Sequence, residues 1–296
     1  MNKSPRLVAL ETLYSIFYDG SYSNIALDKS LSDIKENKAF ISALVYGVTE
    51  RKITLDYFID KYAQGRIKPK VRIVLWLGAY QLLFMDKVPS SASINESVKL
   101  VKEIKQDYYS KLVNAVLHKI DNDRQIPDDL SVKYSVPENL INMWKKQYGE
   151  DVLNEFLPCI NDKPPLFAIP NKKFVNSDEL LYELECDGIL GEAYDEFVLI
   201  ENANDLTDSK AFKNGLFYIE DLSSFNCANA LDALSDDLVL DMCSAPGGKA
   251  FTISQSMNNS GKIYCYDLHE HRLNLIKSSA KRLSIDNIYT DVNDAT

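Results

Sequence analysis

The stretch LVLDMCSAPGGKAF, residues 238–251, constrains the fold of this chain more than any other segment. A short apolar run ends in an acid, and a turn with two adjacent glycines and a lysine follows at once. That order predicts a strand, a tight turn and the start of a helix. Because strands and helices of about ten residues keep alternating from here on, we expect a parallel, doubly wound α/β sheet over 236–296.

The turn in this stretch has the features of a ligand site. Ligands of parallel α/β sheets bind beyond the carboxyl ends of the strands. Gly247 and Gly248 let the backbone approach a ligand closely, and the next helix offers free N–H groups. Asp267 ends the second strand, where a carboxylate commonly accepts two ribose hydroxyls, and Asp294 follows the third. Spacing alone equally permits a plain helix-entry turn in which Asp267 is a helix cap.

The turn excludes two common nucleotide motifs. A phosphate-binding loop needs glycine at its first position and serine or threonine after the lysine, whereas Cys243 and Ala250 stand there. The dinucleotide pattern Gly-x-Gly-x-x-Gly is also absent. One turn and two carboxylates fit a nucleoside that carries a small carboxylate tail, such as S-adenosylmethionine.

The rest of the chain divides into two further predicted domains. Residues 1–125 carry apolar residues at helical spacing and predict an all-α bundle, with 71–84 as its central helix. Residues 126–235 mix helices and short strands and predict a small α+β domain. The apolar run 71–84 is shorter than the roughly 18 residues of a membrane span, and the N-terminus does not resemble a signal peptide. We therefore expect a cytoplasmic protein without membrane attachment.

Charge is divided unevenly along the chain. Residues 1–125 hold 19 Lys and Arg against 14 Asp and Glu, a net of +5, whereas residues 126–296 hold 14 against 29, a net of −15. Such asymmetry suggests different partners for the two parts, and the basic part could meet phosphates. Six basic residues near predicted helix ends are the candidate RNA contacts, the alternative being a solvated surface: Arg51, Lys52, Arg66, Lys68, Lys70 and Arg72.

Metal-ligating patterns are weak. The five cysteines form no Cys-x-x-Cys pair, which argues against a zinc site or a disulfide framework. His269 and His271 have no third ligand nearby in the sequence, so we interpret them as a solvated helix turn. We expect no metal. Arg272 and Arg282, further along the same predicted helix, are expected on its surface, bracing the sheet.

Four stretches of the sequence carry a resemblance to a known family. LDMCSAPGGK closely resembles the cofactor motif of the RNA cytosine-5 methyltransferases, Asp-x-Cys-Ala-Ala-Pro-Gly-Gly-Lys, with Ser244 for alanine and Ala250 for the usual threonine. LVYGVTERKITLDYFI and LGAYQLLFMDKVPSSASINESVKLVK resemble the NusB-like domain fused to the RsmB-type methyltransferases. GLFYIEDLSS is similar to that family's Gln-Asp-x-Ser-Ser stretch, with Glu220 in place of glutamine. The resemblance covers essentially the whole chain.

This resemblance implies a function and a set of site residues. It implies a protein that methylates C5 of a cytosine in 16S ribosomal RNA with S-adenosylmethionine, built from a NusB-like RNA-binding bundle and a Rossmann-like class I methyltransferase sheet. We expect the protein to be a monomer. Asp267 would hold the ribose, and Asp294 would lie by the adenine. The turn residues implied to bind the methionine part are Cys243, Ser244, Ala245, Pro246, Gly247, Gly248 and Lys249.

The cysteines leave the nucleophile unassigned. Methylation at C5 needs a thiolate that adds to C6 of the cytosine. Cys243 is a tempting thiol beside a lysine at a helix start, but its turn would face the methionine, so we interpret it as a lining residue. The family's Thr-Cys nucleophile and its Pro-Cys cysteine do not occur in 236–296, and Cys159, after Pro158, is expected to be a small buried residue.

The sequence therefore predicts a truncated chain. We expect its nucleophilic cysteine to lie beyond Thr296 and the 296 residues alone to be inactive. The alternative is a non-catalytic NusB-like RNA-binding protein that acts in transcription or ribosome assembly.

Overall fold

The structure is a computed structural model that describes residues 3–32, 34–202 and 206–295. The chain forms two compact units, Met1–Asp162 and Lys163–Thr296. The predicted boundaries at 125 and 235 do not coincide with this division, since the segment 126–235 contributes helices to the first unit and strands to the second. The division of the chain into three domains at residues 125 and 235 therefore stays a prediction.

Helices make up the regular structure of the first unit, apart from one 3-10 turn at Asp107–Tyr109. They are α1 (Pro5–Tyr18), α2 (Ser23–Leu31), α3 (Lys38–Glu50), α4 (Lys52–Tyr62), α5 (Pro69–Phe84), α6 (Ser90–Glu103), α7 (Ser110–Asn122), α8 (Leu130–Tyr134), α9 (Glu138–Tyr148) and α10 (Glu150–Cys159). The all-α prediction for residues 1–125 is confirmed.

Helix α5 is the central helix of the first unit. It buries ten residues, on every side of the helix, and packs against α1, α3, α4, α6 and α7. Its most voluminous buried side chain is Trp76, and Gly78 lies so close to Leu117 of α7 that a Cβ there would stand 2.6 Å from it. An apolar surface all round a helix is stable only when other helices cover every side, which is the arrangement found.

The three short helices after residue 126 attach to this bundle. The Thr54 hydroxyl donates to the carbonyl oxygen of Val132 at 2.5 Å, and the Ile53 amide donates to the Ser135 hydroxyl at 3.0 Å. Leu153 and Leu157 of α10 are buried in a small core with Ile141 of α9. This packing explains why α8–α10 belong to the first unit.

The second unit contains two sheets. Its elements are β1 (Leu166–Pro170), α11 (Ser177–Cys186), β2 (Gly191–Ala193), β3 (Val198–Ile200), α12 (Lys210–Lys213), β4 (Phe217–Ile219), α13 (Leu222–Asn229), β5 (Leu238–Asp241), α14 (Gly248–Ser256), β6 (Lys262–Asp267), α15 (Glu270–Leu283) and β7 (Ile288–Val292). A four-stranded antiparallel sheet has the order β2-β3-β1-β4, and a three-stranded parallel sheet has the order β5-β6-β7. The predicted parallel α/β sheet is confirmed.

The two sheets share one hydrophobic core. Phe167 and Tyr218 of the antiparallel sheet belong to the same buried cluster as Phe251 of α14 and Ile263 of β6. The buried Asn171 amide donates to the carbonyl oxygens of Gly215 (3.0 Å) and Leu283 (2.8 Å) and so joins the end of β1 to the end of α15. The residues before 236 therefore form part of the scaffold that holds the parallel sheet.

No helix within the described residues combines the length and the apolar character that crossing a membrane requires.

Candidate functional site

The turn between β5 and α14 is fixed by its own residues and by β6. The backbone N–H and the hydroxyl of Ser244 both donate to the carbonyl oxygen of Tyr266, each at 2.9 Å. The Asp241 carboxylate accepts from the Cys243 amide at 3.3 Å, and burial raises the pKa of Asp241 above its usual value. The turn is therefore held at the carboxyl ends of two neighbouring strands.

A side chain is disfavoured at each of the two glycines of the turn, for a different steric reason. Gly247 has φ +114°, a conformation that side chains disfavour, and a Cβ there would stand 2.5 Å from the Phe251 ring. Gly248 begins α14, and a Cβ there would stand 2.8 Å from Oε1 of Glu220. The first glycine allows the backbone to turn, and the second lets it pass close to a buried carboxylate.

Asp267 lies at the end of β6, beside this turn. It is only 4% exposed, and its Oδ1 accepts the His269 amide at 3.2 Å. The Arg272 guanidinium lies 3.0 Å from Oδ2 of Asp267 and donates through its other terminal nitrogen to the carbonyl oxygen of Ala245 at 3.1 Å. One arginine thus contacts both the carboxylate and the turn.

Asp294 lies two residues after β7, at the third strand end. Asp294 is exposed. The backbone N–H of the preceding residue, Asn293, donates to the carbonyl oxygen of Asp267 at 3.2 Å. The structure therefore brings the turn, Asp267 and Asp294 to one edge of the parallel sheet. Their predicted roles toward a cofactor stay a prediction.

A buried hydrogen-bond chain lies behind the turn. Gln255 Nε2 donates to the Tyr218 hydroxyl at 3.1 Å, the Tyr218 hydroxyl lies 2.8 Å from that of Thr252, and Thr252 donates to Oε2 of Glu220 at 2.6 Å. Glu220 is 7% exposed, and burial raises the pKa of its carboxyl although Thr252 and Lys249 oppose the shift. These hydrogen bonds hold α14, including its first turn, against β4 and the residue that follows it.

Of the four residues in this hydrogen-bond network, the sequence analysis identified only Glu220, as a departure from the family's motif. Tyr218, Thr252 and Gln255 carried no signal, since their contacts join residues more than thirty positions apart in the two sheets' segments. Arg272 and Arg282 do lie on α15 as expected, but each donates to backbone carbonyl oxygens, Arg282 to those of Phe212 (2.7 Å) and Phe217 (2.9 Å).

The cysteines occupy varied surroundings. All five are free thiols; Cys243 is exposed in the turn, whereas Cys265 is buried in β6 and burial raises its pKa to about 12. The prediction that Cys159 is buried is wrong. Leu153 and Leu157 form the buried face of α10, and Cys159, two positions further on, lies on the exposed side.

Histidines 269 and 271 stack on each other, with ring centroids 5.5 Å apart. Among the described residues no group of three or more His, Cys, Asp or Glu side chains is arranged to hold a metal ion.

The six basic residues predicted to contact RNA lie at two places in the first unit. Arg51 and Lys52 lie at the start of α4, and the others lie in the loop before α5 and in its first turn: Arg66, Lys68, Lys70 and Arg72. Two of them are already paired: Arg72 donates to Asp56 at 2.7 Å and to Asp60 at 2.8 Å, and Lys52 contacts Asp56 at 2.7 Å. Asp56 also accepts the Trp76 indole N–H at 2.7 Å. These pairs fix the helices and neutralise part of the local positive charge.

The remaining four basic residues differ in exposure. Arg51 is half-buried with its guanidinium over the Phe84 ring, at 4.9 Å from the centroid. Arg66, Lys68 and Lys70 are exposed, Lys68 near Tyr109 and Lys70 near Tyr14, with ring centroids 5.9 and 5.3 Å away. Exposed positive charge in this cluster therefore comes mainly from these three residues, which we call the basic patch.

Together, an all-α unit with a NusB-like helical pattern and a Rossmann-like sheet with a glycine turn define a class of protein: a helical RNA-binding domain joined to a methyltransferase fold. Residues 3–122 match the NusB family, and residues 228–296 match the 16S rRNA methyltransferase RsmB/F family. A probable ribosomal RNA small subunit methyltransferase B of Bacillus subtilis (strain 168) is 33% identical over 311 residues, which cover 99% of this chain and 69% of that protein.

The chain belongs to this RsmB family of ribosomal RNA small subunit methyltransferases. A second relative of the same description, from Synechocystis sp. (strain PCC 6803), is 28% identical and is aligned over 96% of this chain and 68% of its own length. The crystal structure of PH0851 matches all of this chain and 70% of its own with a TM-score of 0.75 at 23% identity, which supports the fold. The family and the multidomain fold predicted from the sequence are confirmed.

Proposed function

We propose that the second unit binds S-adenosylmethionine across the ends of β5, β6 and β7, and that the protein serves the methylation of C5 of a cytosine in 16S ribosomal RNA. The observation that carries the proposal is the meeting of the Cys243–Lys249 turn with the buried Asp267 at adjacent parallel strand ends. The Bacillus subtilis relative is described as acting on the RNA of the small ribosomal subunit, which agrees with this substrate.

The residues present fit such a cofactor. A carboxylate has about four lone-pair sites, and the contacts that the structure describes for Asp267 come from the His269 amide and Arg272, so acceptor capacity remains for two ribose hydroxyls. Gly247 and Gly248 lack the Cβ atoms that would meet Phe251 and Glu220, so the backbone can follow this turn into α14, which begins there with N–H groups that suit a carboxylate. Asp294 would lie by the adenine. The bound group would supply an electrophilic methyl.

We assign no nucleophile among the five cysteines. None of them follows a threonine. Cys243 lies in the turn that would hold the methionine, Cys265 is buried in a strand, and Cys159 lies in the first unit. Without an assigned nucleophile to add at C6, we expect no methylation of C5 by the 296 residues alone.

The NusB-like unit would bind the RNA. The basic patch supplies exposed cations for phosphates, and phosphate contacts position a protein on RNA without reading its sequence. With ribosomal RNA as its proposed substrate, the protein would act in the cytoplasm, and a monomer remains our expectation for its oligomeric state.

Calorimetry with S-adenosylhomocysteine tests the cofactor site. The unaltered 296-residue chain should bind it with one site per chain, and Asp267→Asn should weaken binding by about tenfold or more, because a charged acceptor is lost. Asp286→Asn, an exposed carboxylate before β7 at the opposite end of the sheet, is the matched control and should leave the affinity unchanged. Equal affinities for all three chains would refute the site.

A methyl-transfer assay tests the assignment of the cysteines. The chain, incubated with 16S ribosomal RNA and labelled S-adenosylmethionine, should transfer no label. If label appeared and Cys243→Ser abolished it without loss of cofactor binding, Cys243 would be a nucleophile after all. Absence of S-adenosylhomocysteine binding, together with retained RNA binding, would favour instead a non-catalytic NusB-like RNA-binding protein.

A further inference from the structure

The Arg272 side chain contacts both parts of the proposed cofactor site, the Asp267 carboxylate and the turn after β5. We propose that Arg272 is a positioning residue, which holds the Asp267 carboxylate and the Cys243–Lys249 turn in the arrangement that cofactor binding requires. The inference rests on the proposed function, because it concerns the same site. It adds a residue whose sequence position, on the surface of α15, gives no indication of that role.

The contacts require a guanidinium. One terminal nitrogen of Arg272 lies 3.0 Å from Oδ2 of Asp267, and the other donates to the carbonyl oxygen of Ala245 at 3.1 Å. A planar fork with donors at fixed angles can satisfy two separate acceptors at once. A lysine ammonium is a single point of charge at the end of a flexible chain, so it would lose one of the two contacts.

Burial explains why the contact with Asp267 matters. The Asp267 side chain is 4% exposed, and a carboxylate so removed from water requires a charged partner. The Arg272 side chain is 45% exposed, so it neutralises the carboxylate while it remains partly hydrated. Its Nη1 donates to Oδ1 of Asp267 at 3.3 Å and lies 3.0 Å from Oδ2, and Oδ1 also accepts the His269 amide. These contacts orient the carboxylate without using all its lone pairs.

The contact with Ala245 explains the effect on the turn. Ser244 is held by the carbonyl oxygen of Tyr266, and the next residue, Ala245, is held by Arg272. Without Arg272, the turn would keep its attachment to β6 but lose the one to α15. The Asp267 carboxylate and the turn would then adjust independently, and a ligand that touches both would have to order them on binding.

Arg282 provides a matched control on the same helix. It donates to the carbonyl oxygens of Phe212 and Phe217 and lies over the Phe212 ring at 3.8 Å from its centroid. Its contacts are as extensive as those of Arg272, but they lie in the scaffold and touch no residue of the proposed site. Arg282→Gln should therefore lower the melting temperature and leave ligand affinity within about twofold.

Calorimetry with S-adenosylhomocysteine on Arg272→Gln, Arg272→Lys, Asp267→Asn and the double variant Asp267→Asn/Arg272→Gln tests the inference. Arg272→Gln should weaken binding by about tenfold, the loss expected for charge-assisted hydrogen bonds, and Arg272→Lys should restore it only in part. The double variant should bind about as weakly as the weaker single variant, because both changes break one unit. Multiplicative losses would overturn the positioning role.

Hydrogen exchange of the ligand-free chain separates the two proposals. The amides of residues 243–245, 247 and 248 should exchange faster in Arg272→Gln than in the unaltered chain, and their exchange should be unchanged in Arg282→Gln. Unchanged exchange in Arg272→Gln would refute the positioning role whatever the affinities. If Asp267→Asn weakens binding but Arg272→Gln does not, the cofactor site stands and the positioning role is wrong; if the unaltered chain does not bind S-adenosylhomocysteine, both proposals fail.

Discussion

Ser244 donates two hydrogen bonds to a single acceptor, the carbonyl oxygen of Tyr266, one from its backbone N–H and one from its hydroxyl, both at 2.9 Å. Tyr266 lies in β6 next to Asp267, so this pair ties the turn after β5 to the neighbouring strand. The related motif has alanine where Ser244 stands, and an alanine would make only the backbone bond. The hydroxyl is therefore an attachment that the alanine form of the motif lacks.

Replacing Ser244 with alanine should lower stability without abolishing the site. The loss of one buried hydroxyl hydrogen bond costs about 1 kcal/mol, or roughly 2–4 °C in melting temperature for a unit of this size. Thermal unfolding followed by circular dichroism measures it. Ser278→Ala on the exposed side of α15 is the control and should leave the melting temperature unchanged. A stability of Ser244→Ala equal to that of the native chain would show that the second bond contributes nothing.

The buried Glu220 should make stability depend on pH. Burial raises the pKa of this carboxyl above its usual 4.5, so the folded chain binds the proton more tightly than the unfolded chain does. The resulting stabilisation is fully present below about pH 4.5 and is lost as the pH rises through the folded-state pKa. Glu220→Gln keeps an acceptor for the Thr252 hydroxyl and removes the buried charge.

Melting temperatures of Glu220→Gln between pH 4 and pH 8 check this expectation. The variant should melt a few degrees higher than the native chain at pH 7–8, about 2–4 °C for each kcal/mol of relief, and the two should converge near pH 4. Glu183→Gln, an exposed residue on α11, should show no such difference. A variant that is less stable than the native chain at every pH would mean that the carboxylate itself is needed.

The sequence predicted the parallel sheet and its strand ends because apolar periodicity and turn residues are local signals. Three parallel strands in register bring their carboxyl ends to one edge, so Asp267, Asp294 and the turn meet without knowledge of any side-chain contact. The short β2 and the four-residue α12 escaped prediction, since three or four residues do not establish a period.

What the sequence could not provide is the set of contacts between separate segments. Thr252 meets Glu220 from 32 positions away, and Arg272 meets Ala245 from 27 positions away. Such pairs depend on how the two sheets pack and on the path of α15. The wrong prediction for Cys159 has the same origin, since which face of α10 is buried depends on α9 and its Ile141.

Thiol reactivity should distinguish the two cysteines of the parallel sheet. Cys243 is exposed and should react with iodoacetamide, whereas Cys265 is buried, and its pKa of about 12 leaves almost no thiolate at pH 8. Digestion and mass spectrometry of the alkylated chain give the rate at each site. In unfolding concentrations of urea, both should react.

The same assay reports on the ligand. If the methionine part lies against the turn, S-adenosylhomocysteine at about ten times its Kd should slow alkylation of Cys243 about tenfold, because only the free chain reacts. Cys186, exposed at the end of α11, is an internal control that should keep its rate. Equal slowing at Cys243 and Cys186 would mean that the ligand reduces the mobility of the whole unit and does not cover Cys243 specifically. No slowing at Cys243 would mean that the ligand binds elsewhere.

The basic patch should contribute to RNA affinity through phosphates alone. Arg66, Lys68 and Lys70 are exposed, whereas Lys52 and Arg72 are paired with carboxylates, so reversal of the first three charges should remove most of the free positive charge in this cluster. Each lost phosphate contact lowers the slope of log K against log salt by about 0.7 to 0.9. The triple variant with glutamate at all three positions should therefore bind a labelled 16S ribosomal RNA fragment more weakly, with a slope smaller by up to about 2 to 3.

A matched triple variant separates the patch from net charge. Lys262, Lys277 and Lys281 are exposed lysines of the second unit, and their replacement by glutamate changes the net charge by the same amount. Fluorescence anisotropy at several salt concentrations should show a much smaller loss for this control. An equal loss for both triples would mean that RNA responds to overall charge, and an unchanged slope for the patch variant would remove these three residues from the RNA interface.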